Sequence, residues 1–294
     1  MDALSDDGRQ GLTLIAFVGS VFSPYYARAR RRGPADPDHH CAVNLALYGE
    51  GGKRWAMTER GRGDLRREDG HLSIGPSHIH WDGQRLVMHV REITAPLPSR
   101  LEGTITLTPD VLTGYRFDLD GNGRHWWRPL APSGRIRVAM EHPRMDWEGH
   151  AYLDSNRGDE PLEAGFRYWD WSRAPAGDGE TVVLYEAQTR AGGHRLLSLR
   201  FDDRGQATAM EPPPRQILPP APLWRAPRGT RADAGSARVR QTLEDTPFYA
   251  RSLVDMTLGG ETVTAFHESL SLERFVSPVV QWMLPFRMPR RARG

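Results

Sequence analysis

Two stretches decide the fold: LRREDGHLSIG at Leu65–Gly75 and HIHWDGQRLVMHV at His78–Val90. Each places an Asp-Gly pair, Asp69-Gly70 or Asp82-Gly83, between segments in which polar and apolar residues alternate. Alternation with a period of two suits a half-buried strand, and Asp-Gly suits the type I′ turn that joins antiparallel strands. The pattern predicts consecutive hairpins. Further strands are expected at Val43–Tyr48, Arg54–Thr58, Leu101–Leu107, Arg135–Met140, Thr181–Gln188, His194–Phe201 and Val263–Leu270. Many short strands at regular spacing predict an all-β chain of sandwiches or barrels. One segment, Pro24–Arg32, reads as a helix, with Ser23 as N-cap and Pro24 at the first helical position.

The Leu130–Gly134 segment, LAPSG, separates two strand-rich halves, so two β domains are expected, 1–132 and 133–294. A single elongated domain is the alternative. The proline-rich stretch Glu211–Pro227 lacks the N–H groups of a regular ladder and reads as an extended loop or edge cover.

Composition narrows the classes. The 294 residues include 30 Gly and 23 Pro, but 38 % are hydrophobic and nine are Trp, which argues against disorder. One cysteine, Cys41, excludes a disulfide framework and favours a reducing compartment. A formal net charge of +2 lacks the basic excess of a nucleic-acid binder. No P-loop, GxSxG or GxGxxG-after-strand context occurs, so nucleotide cofactors are not expected.

The apolar run Leu12–Phe22 is too short to span a bilayer, and the acidic leader MDALSDDGRQ is not that of a signal peptide. It reads as a buried strand ending at Gly19. The C-terminal FVSPVVQWMLPFRMPRRARG combines apolar and aromatic residues with four Arg in its last eight positions, and its three prolines argue against a long helix. It fits either a last core strand with a solvated basic tail or a shallow anchor on an anionic membrane surface.

The densest polar segment is Gly149–Glu163, with Tyr152, Asp154, Arg157, Asp159 and Glu160. Aromatics flank it: Trp147 and Tyr152 before, then Phe166, Tyr168, Trp169 and Trp171. An ordinary solvated turn would pair Arg157 with Asp159. A carboxyl enclosed by aromatics instead loses hydration, keeps its proton and can act as a general acid. Asp118–Gly123, DLDGNG, matches the first six positions of a calcium loop, but Pro129 falls at the twelfth, where a bidentate carboxylate belongs. His39-His40-Cys41 has no second pair at zinc-finger spacing, so no metal is expected. His78 and His80 share one strand face with Trp81 on the other, and His125 sits in RHWWRP beside Trp126 and Trp127. Cys41 reads as core.

Several motifs occur together: IAFVGSVFSPYYARAR (Ile15–Arg30), NLALYG with WAMTERG (Asn44–Gly61), YLDSNRGDEPLE with FRYWDWSRA (Tyr152–Ala174), TPFYARS, HESLSLERF and MLPFRMPR (Thr246–Arg290). In this order the chain resembles the carotenoid 1,2-hydratase family, also called hydroxyneurosporene synthase. The resemblance runs from about Ala16 to Arg290 and departs at the N-terminus, where family members often carry a longer leader. It implies two lipocalin-like β domains and cofactor-independent addition of water to the terminal double bond of an acyclic carotene. Neurosporene and lycopene are the typical substrates, on the way to spheroidene or spirilloxanthin. It also implies a membrane-dissolved substrate, hence a cytoplasmic protein in peripheral contact with the inner or photosynthetic membrane.

Protonating a trisubstituted alkene at C2 leaves a tertiary cation at C1, which demands a strong acid in a dry site. Asp154 is the expected donor, held by His125 or Tyr152. Aromatic faces that stabilise the cation are expected from Trp81, then Trp126 and Trp169, with Trp171 also at the substrate. His125, Asp170 or Asp159 would take the proton from the attacking water. The competing readings are a lipocalin-like carrier without chemistry and a different cation enzyme on the same scaffold.

Overall fold

The computed structural model describes residues 1–49 and 52–291. The predicted hairpins form: Leu65–Glu68 pairs with His71–Ile74, then Ser77–Trp81 and Leu86–Ile93 follow, all antiparallel. Their turns differ from the expected type. Gly70 (φ 70°) and Gly83 (φ 101°) are left-handed, but Asp69 and Asp82 are not, so neither turn is type I′. At the second, the Asp82 carboxylate accepts from the backbone N–H groups of Gln84 and Arg85 and closes a longer loop. An aspartate that satisfies its own turn removes the need for two left-handed residues.

One 13-stranded sheet runs, in spatial order, Arg290–Arg291, Arg54–Arg60, Cys41–Gly49, Gln10–Val18, Asp2–Ser5, Met145–Gly158, His125–His142, Arg100–Pro109, Leu86–Ile93, Ser77–Trp81, His71–Ile74, Leu65–Glu68; Phe117–Asp118 pairs with His125–His142 off this path. A seven-stranded sheet runs Ala207–Ala209, His194–Phe201, Thr181–Thr189, Phe166–Pro175, Glu261–Ser271, Tyr249–Leu258, Arg238–Asp245. The chain is therefore mostly β, as expected.

Two units divide it. The first takes Met1–Asp110, Gly134–Tyr152 and the segment from Gln281; the second takes Val111–Ser133 and Leu153–Val280. In the first unit Leu12, Leu45, Ile105 and Val138 are buried in the sheet, and alternation puts apolar residues on one face. The short helix Pro24–Arg30 starts where predicted, with Ser23 Oγ accepting from Tyr26 N at 3.0 Å, and ends before Arg32.

In the second unit the seven-stranded sheet has two distinct faces. On one, Val182, Leu184, Val254 and Met256 pack with Leu218 from the proline-rich stretch. That stretch is not wholly irregular: Arg215–Leu218, between its prolines, pairs with Arg228–Arg231 as a two-stranded ribbon. The ribbon escapes the proline problem because residues 215–218 contain none.

The C-terminal prolines do not prevent a helix. Pro278–Arg287 is helical with Pro285 inside it. Pro278 opens the helix, where no N–H is needed, and Pro285 falls in the last turn. The helix takes the place of the expected last core strand; Arg293 of the predicted basic tail lies outside the described residues. No helix among the described residues is long and apolar enough to cross a membrane.

Candidate active site

The long strand His125–His142 and the strand Met145–Gly158 carry the polar candidates. His125 and Trp127, two residues apart, share a strand face, and both are essentially fully buried. Trp127 Nε1 donates to Asp154 Oδ2 at 2.9 Å. Tyr152, also buried, precedes Asp154 by two residues on the same strand and so points the same way.

The second face of the seven-stranded sheet completes the surroundings. Trp169, Trp171, Tyr185 and Glu268 share it, because Trp171 lies opposite both Tyr185 and Glu268 in the ladder. Ring contacts then run Phe117–Trp127 (5.4 Å), Trp127–Tyr185 (5.7 Å), Tyr185–Trp169 (6.0 Å), Trp169–Phe166 (5.8 Å) and Phe166–His125 (4.8 Å). This is a continuous aromatic chain, and one of its members, Trp127, holds the Asp154 carboxyl. Burial pushes the Tyr185 phenol well up, and the charges of Glu268 and Asp154 push it further, so it stays a protonated donor. Glu268 itself is tied to Arg251 at 2.8 Å and accepts from Tyr249 Oη at 2.9 Å.

His125 is clasped by glycines. A Cβ on Gly158 would lie 2.7 Å from Nδ1, and one on Gly165 would lie 2.7 Å from Nε2. Gly158 closes the strand and Gly165 ends the Leu162–Gly165 turn, so the GDEPLEAG segment wraps the imidazole. Glu160 Oε1 stands 3.5 Å from Nε2.

Asp120, His125 and Glu160 each bring one ligand atom to within 4.8 Å of the others, the set best suited to hold a cation. Hydrogen bonds already use part of it. Arg124 Nη1 pairs with Glu160 Oε2 at 2.5 Å, and Asp120 Oδ1 accepts from Asn122 N at 3.2 Å and Arg124 N at 3.3 Å.

The other predicted residues are placed apart. Asp170 faces the ribbon, on the opposite side of the sheet from Trp169 and Trp171. There it accepts from Tyr168 Oη at 2.8 Å, from Ser269 Oγ and from Gly229 N, and burial raises its carboxyl to about 6. Trp126 turns to the other face of its strand, donates to Gly123 O at 2.7 Å and is covered by Arg116. Asp159 is exposed and pairs with Arg157 at 3.4 Å, the ordinary loop contact. Trp81 belongs to the first unit, at the end of the strand Ser77–Trp81. The sequence reading overlooked Trp127, Tyr185 and Glu268.

The model of the family described as carotenoid hydratase CrtC matches residues 14–294, and so includes every residue named here. The chain belongs to the carotenoid hydratase family. Proteins named acyclic carotenoid 1,2-hydratase are similar to it along nearly its full length. That of Thiocapsa roseopersicina is 59 % identical over 291 residues, covering 99 % of this chain and 72 % of that protein. That of Rubrivivax gelatinosus is 52 % identical over 297 residues, with the same shares. That of Cereibacter sphaeroides is 42 % identical over 281 residues, covering 95 % of this chain and 98 % of its own length.

Proposed function

We propose that this chain is an acyclic carotenoid 1,2-hydratase acting on neurosporene or lycopene. The single observation that carries the mechanism is the Trp127–Asp154 hydrogen bond inside the aromatic chain. The indole orients the carboxyl group, and Asp154 delivers a proton to C2 of the terminal double bond. The C1–C2 π pair takes that proton, and the positive charge stays at the tertiary C1. The faces of Trp127, Tyr185 and Trp169 stabilise it by roughly 0.5–2 kcal/mol each.

Water then bonds to C1 and releases a proton. Among the predicted acceptors, His125 is the one that shares a strand face with Trp127, and Glu160 stands at its Nε2 to stabilise the imidazolium. Return of the proton to Asp154 closes the cycle, with a net gain of one water and no redox change. The acid–base groups named are all side chains of this chain, so the reading needs no cofactor.

This reading keeps two lipocalin-like β domains, 1–132 and 133–294, as its domain plan. A C40 hydrocarbon partitions into lipid, so the reading also includes a cytoplasmic protein in peripheral contact with the inner membrane, serving spheroidene or spirilloxanthin synthesis. The test is incubation of the purified chain with lycopene or neurosporene in lipid. The hydratase yields a product heavier by one water, and Asp154→Asn nearly abolishes it while substrate binding survives. A bound but unaltered carotene would support a carrier instead, and near-normal turnover by the variant would remove Asp154 from the mechanism.

A further inference from the structure

The helix Pro278–Arg287 hides one side and shows the other. Val280, Leu284 and Met288 are buried, while Trp282 is 70 % and Phe286 62 % exposed. The two exposed rings meet edge to face at 5.3 Å, and Val279, a turn earlier on the same helix, is exposed as well. A tryptophan and a phenylalanine in water, side by side on a helix with no acidic residue, form an apolar surface that needs a partner.

Charge identifies the partner. Arg287 follows Phe286 and lies over the Trp55 ring at 4.6 Å. Arg290 pairs with Glu59, donates to His39 O at 3.0 Å and sits 5.9 Å from the Tyr25 ring. These contacts hold the C-terminal segment beside the helix Pro24–Arg30. That helix and the residues after it present Arg28, Arg31 and Arg32, all exposed and none in an ion pair among the described residues. An exposed Trp–Phe pair followed by Arg287, on a segment tied through Arg290 to an arginine-bearing helix, is complementary to one chemistry: a bilayer with anionic headgroups, whose interface takes aromatic rings and whose surface attracts guanidinium groups.

We propose that Trp282 and Phe286, flanked by Arg287 and by the arginines of the 28–32 segment, form the surface with which this protein docks on an anionic membrane. Trp282 and Phe286 belong to the first unit, Asp154 to the second. The proposal rests on the reading of a lipid-dissolved substrate and names the face that reaches it.

The test uses the full chain and carotenoid-free vesicles. Flotation is measured with phosphatidylcholine alone and with phosphatidylcholine mixed with phosphatidylglycerol. The wild type is expected to float with the anionic vesicles and to be released by salt. Trp282→Ser with Phe286→Ser should lower partitioning about tenfold or more, since both apolar anchors are removed. Arg28→Gln, Arg31→Gln and Arg32→Gln together should lower it roughly fivefold per arginine. Trp282→Phe should also erase part of the fluorescence shift on vesicle addition. Circular dichroism verifies folding, which substitutions at exposed positions should preserve.

Unchanged flotation of the double variant, or equal binding to neutral vesicles, would overturn the proposal. So would a wild-type dimer that the double variant dissociates, because the face would then meet a second copy of the chain. Turnover in detergent micelles separates the two readings. Hydration without vesicle binding refutes docking alone; vesicle binding without hydration refutes the hydratase alone.

Discussion

Trp127 donates its indole N–H to Asp154 at 2.9 Å, joining residues 27 positions apart in sequence. The bond fixes the orientation of the carboxyl group. Buried behind Phe117 and Tyr185, the indole has no freedom to release it.

Trp127→Phe tests that bond while keeping an aromatic ring. A hydrogen bond to a carboxyl is worth roughly 1.5–3 kcal/mol, or about 10–100-fold in rate when it orients the reacting group. Initial rates of hydration should fall by that factor with the far-ultraviolet spectrum unchanged. Trp126→Phe, on the other strand face, should cost less than about threefold in rate. Equal effects from the two substitutions would show that the bond does not orient the acid.

Gly165→Ala probes the imidazole clasp. Gly165 has no left-handed φ, so alanine is conformationally allowed, yet its Cβ would sit 2.7 Å from His125 Nε2 and 3.3 Å from Glu160 Oε1. Displacing the ring should lower kcat more than it raises KM, with a stability loss of about 1–3 kcal/mol from overpacking. Denaturant melts and steady-state kinetics on the same preparation distinguish a moved histidine from a damaged fold.

Turnover in deuterated water checks the direction of addition. Protonation by Asp154 should leave one deuterium on C2 and the hydroxyl oxygen on C1. Mass spectrometry of the product, after back-exchange of the hydroxyl, should show a single retained deuterium. An unlabelled C2 would exclude protonation as the first step.

These tests also mark what the residues disclosed before the fold was known. Hairpins were legible because alternation and Gly-containing turns are local signals; Asp154 stands out in the sequence because it opens a polar loop between aromatics, and its role rests on the proposal. The choice between Trp126 and Trp127 was harder, since consecutive residues on a strand face opposite ways and partner strands decide which way is inward. Pairing with His125 contains the answer: residues two apart share a face, so a buried His125 carries Trp127 with it. The same rule places Asp170 opposite Trp169 and Trp171 in FRYWDWSR. Tyr185 gave no signal, because it lies in the apolar run TVVLYEAQT and acquires its role only when Trp171 pairs across from it.

His267 should set an acid limit to stability. It is fully buried, its Nε2 donates to Gly229 O at 2.6 Å, and burial holds its imidazole down at about 4. An unfolded chain protonates this histidine near its ordinary value, so between there and pH 4 the unfolded state binds more protons than the folded one. The contribution is therefore complete above about pH 6.5 and is lost as pH falls through that window, up to about 3 kcal/mol in all. Asp170, 3.9 Å away and raised to about 6, works in the opposite sense over part of the range, because the folded state holds its proton longer. His267→Gln keeps a donor for Gly229 and removes the titration. The gap in unfolding free energy between the wild type and this variant, measured by denaturant at pH 5 and pH 8, should shift against the wild type at pH 5, because only the wild type loses the His267 contribution there. An identical pH slope for the two proteins would show that His267 does not limit acid stability.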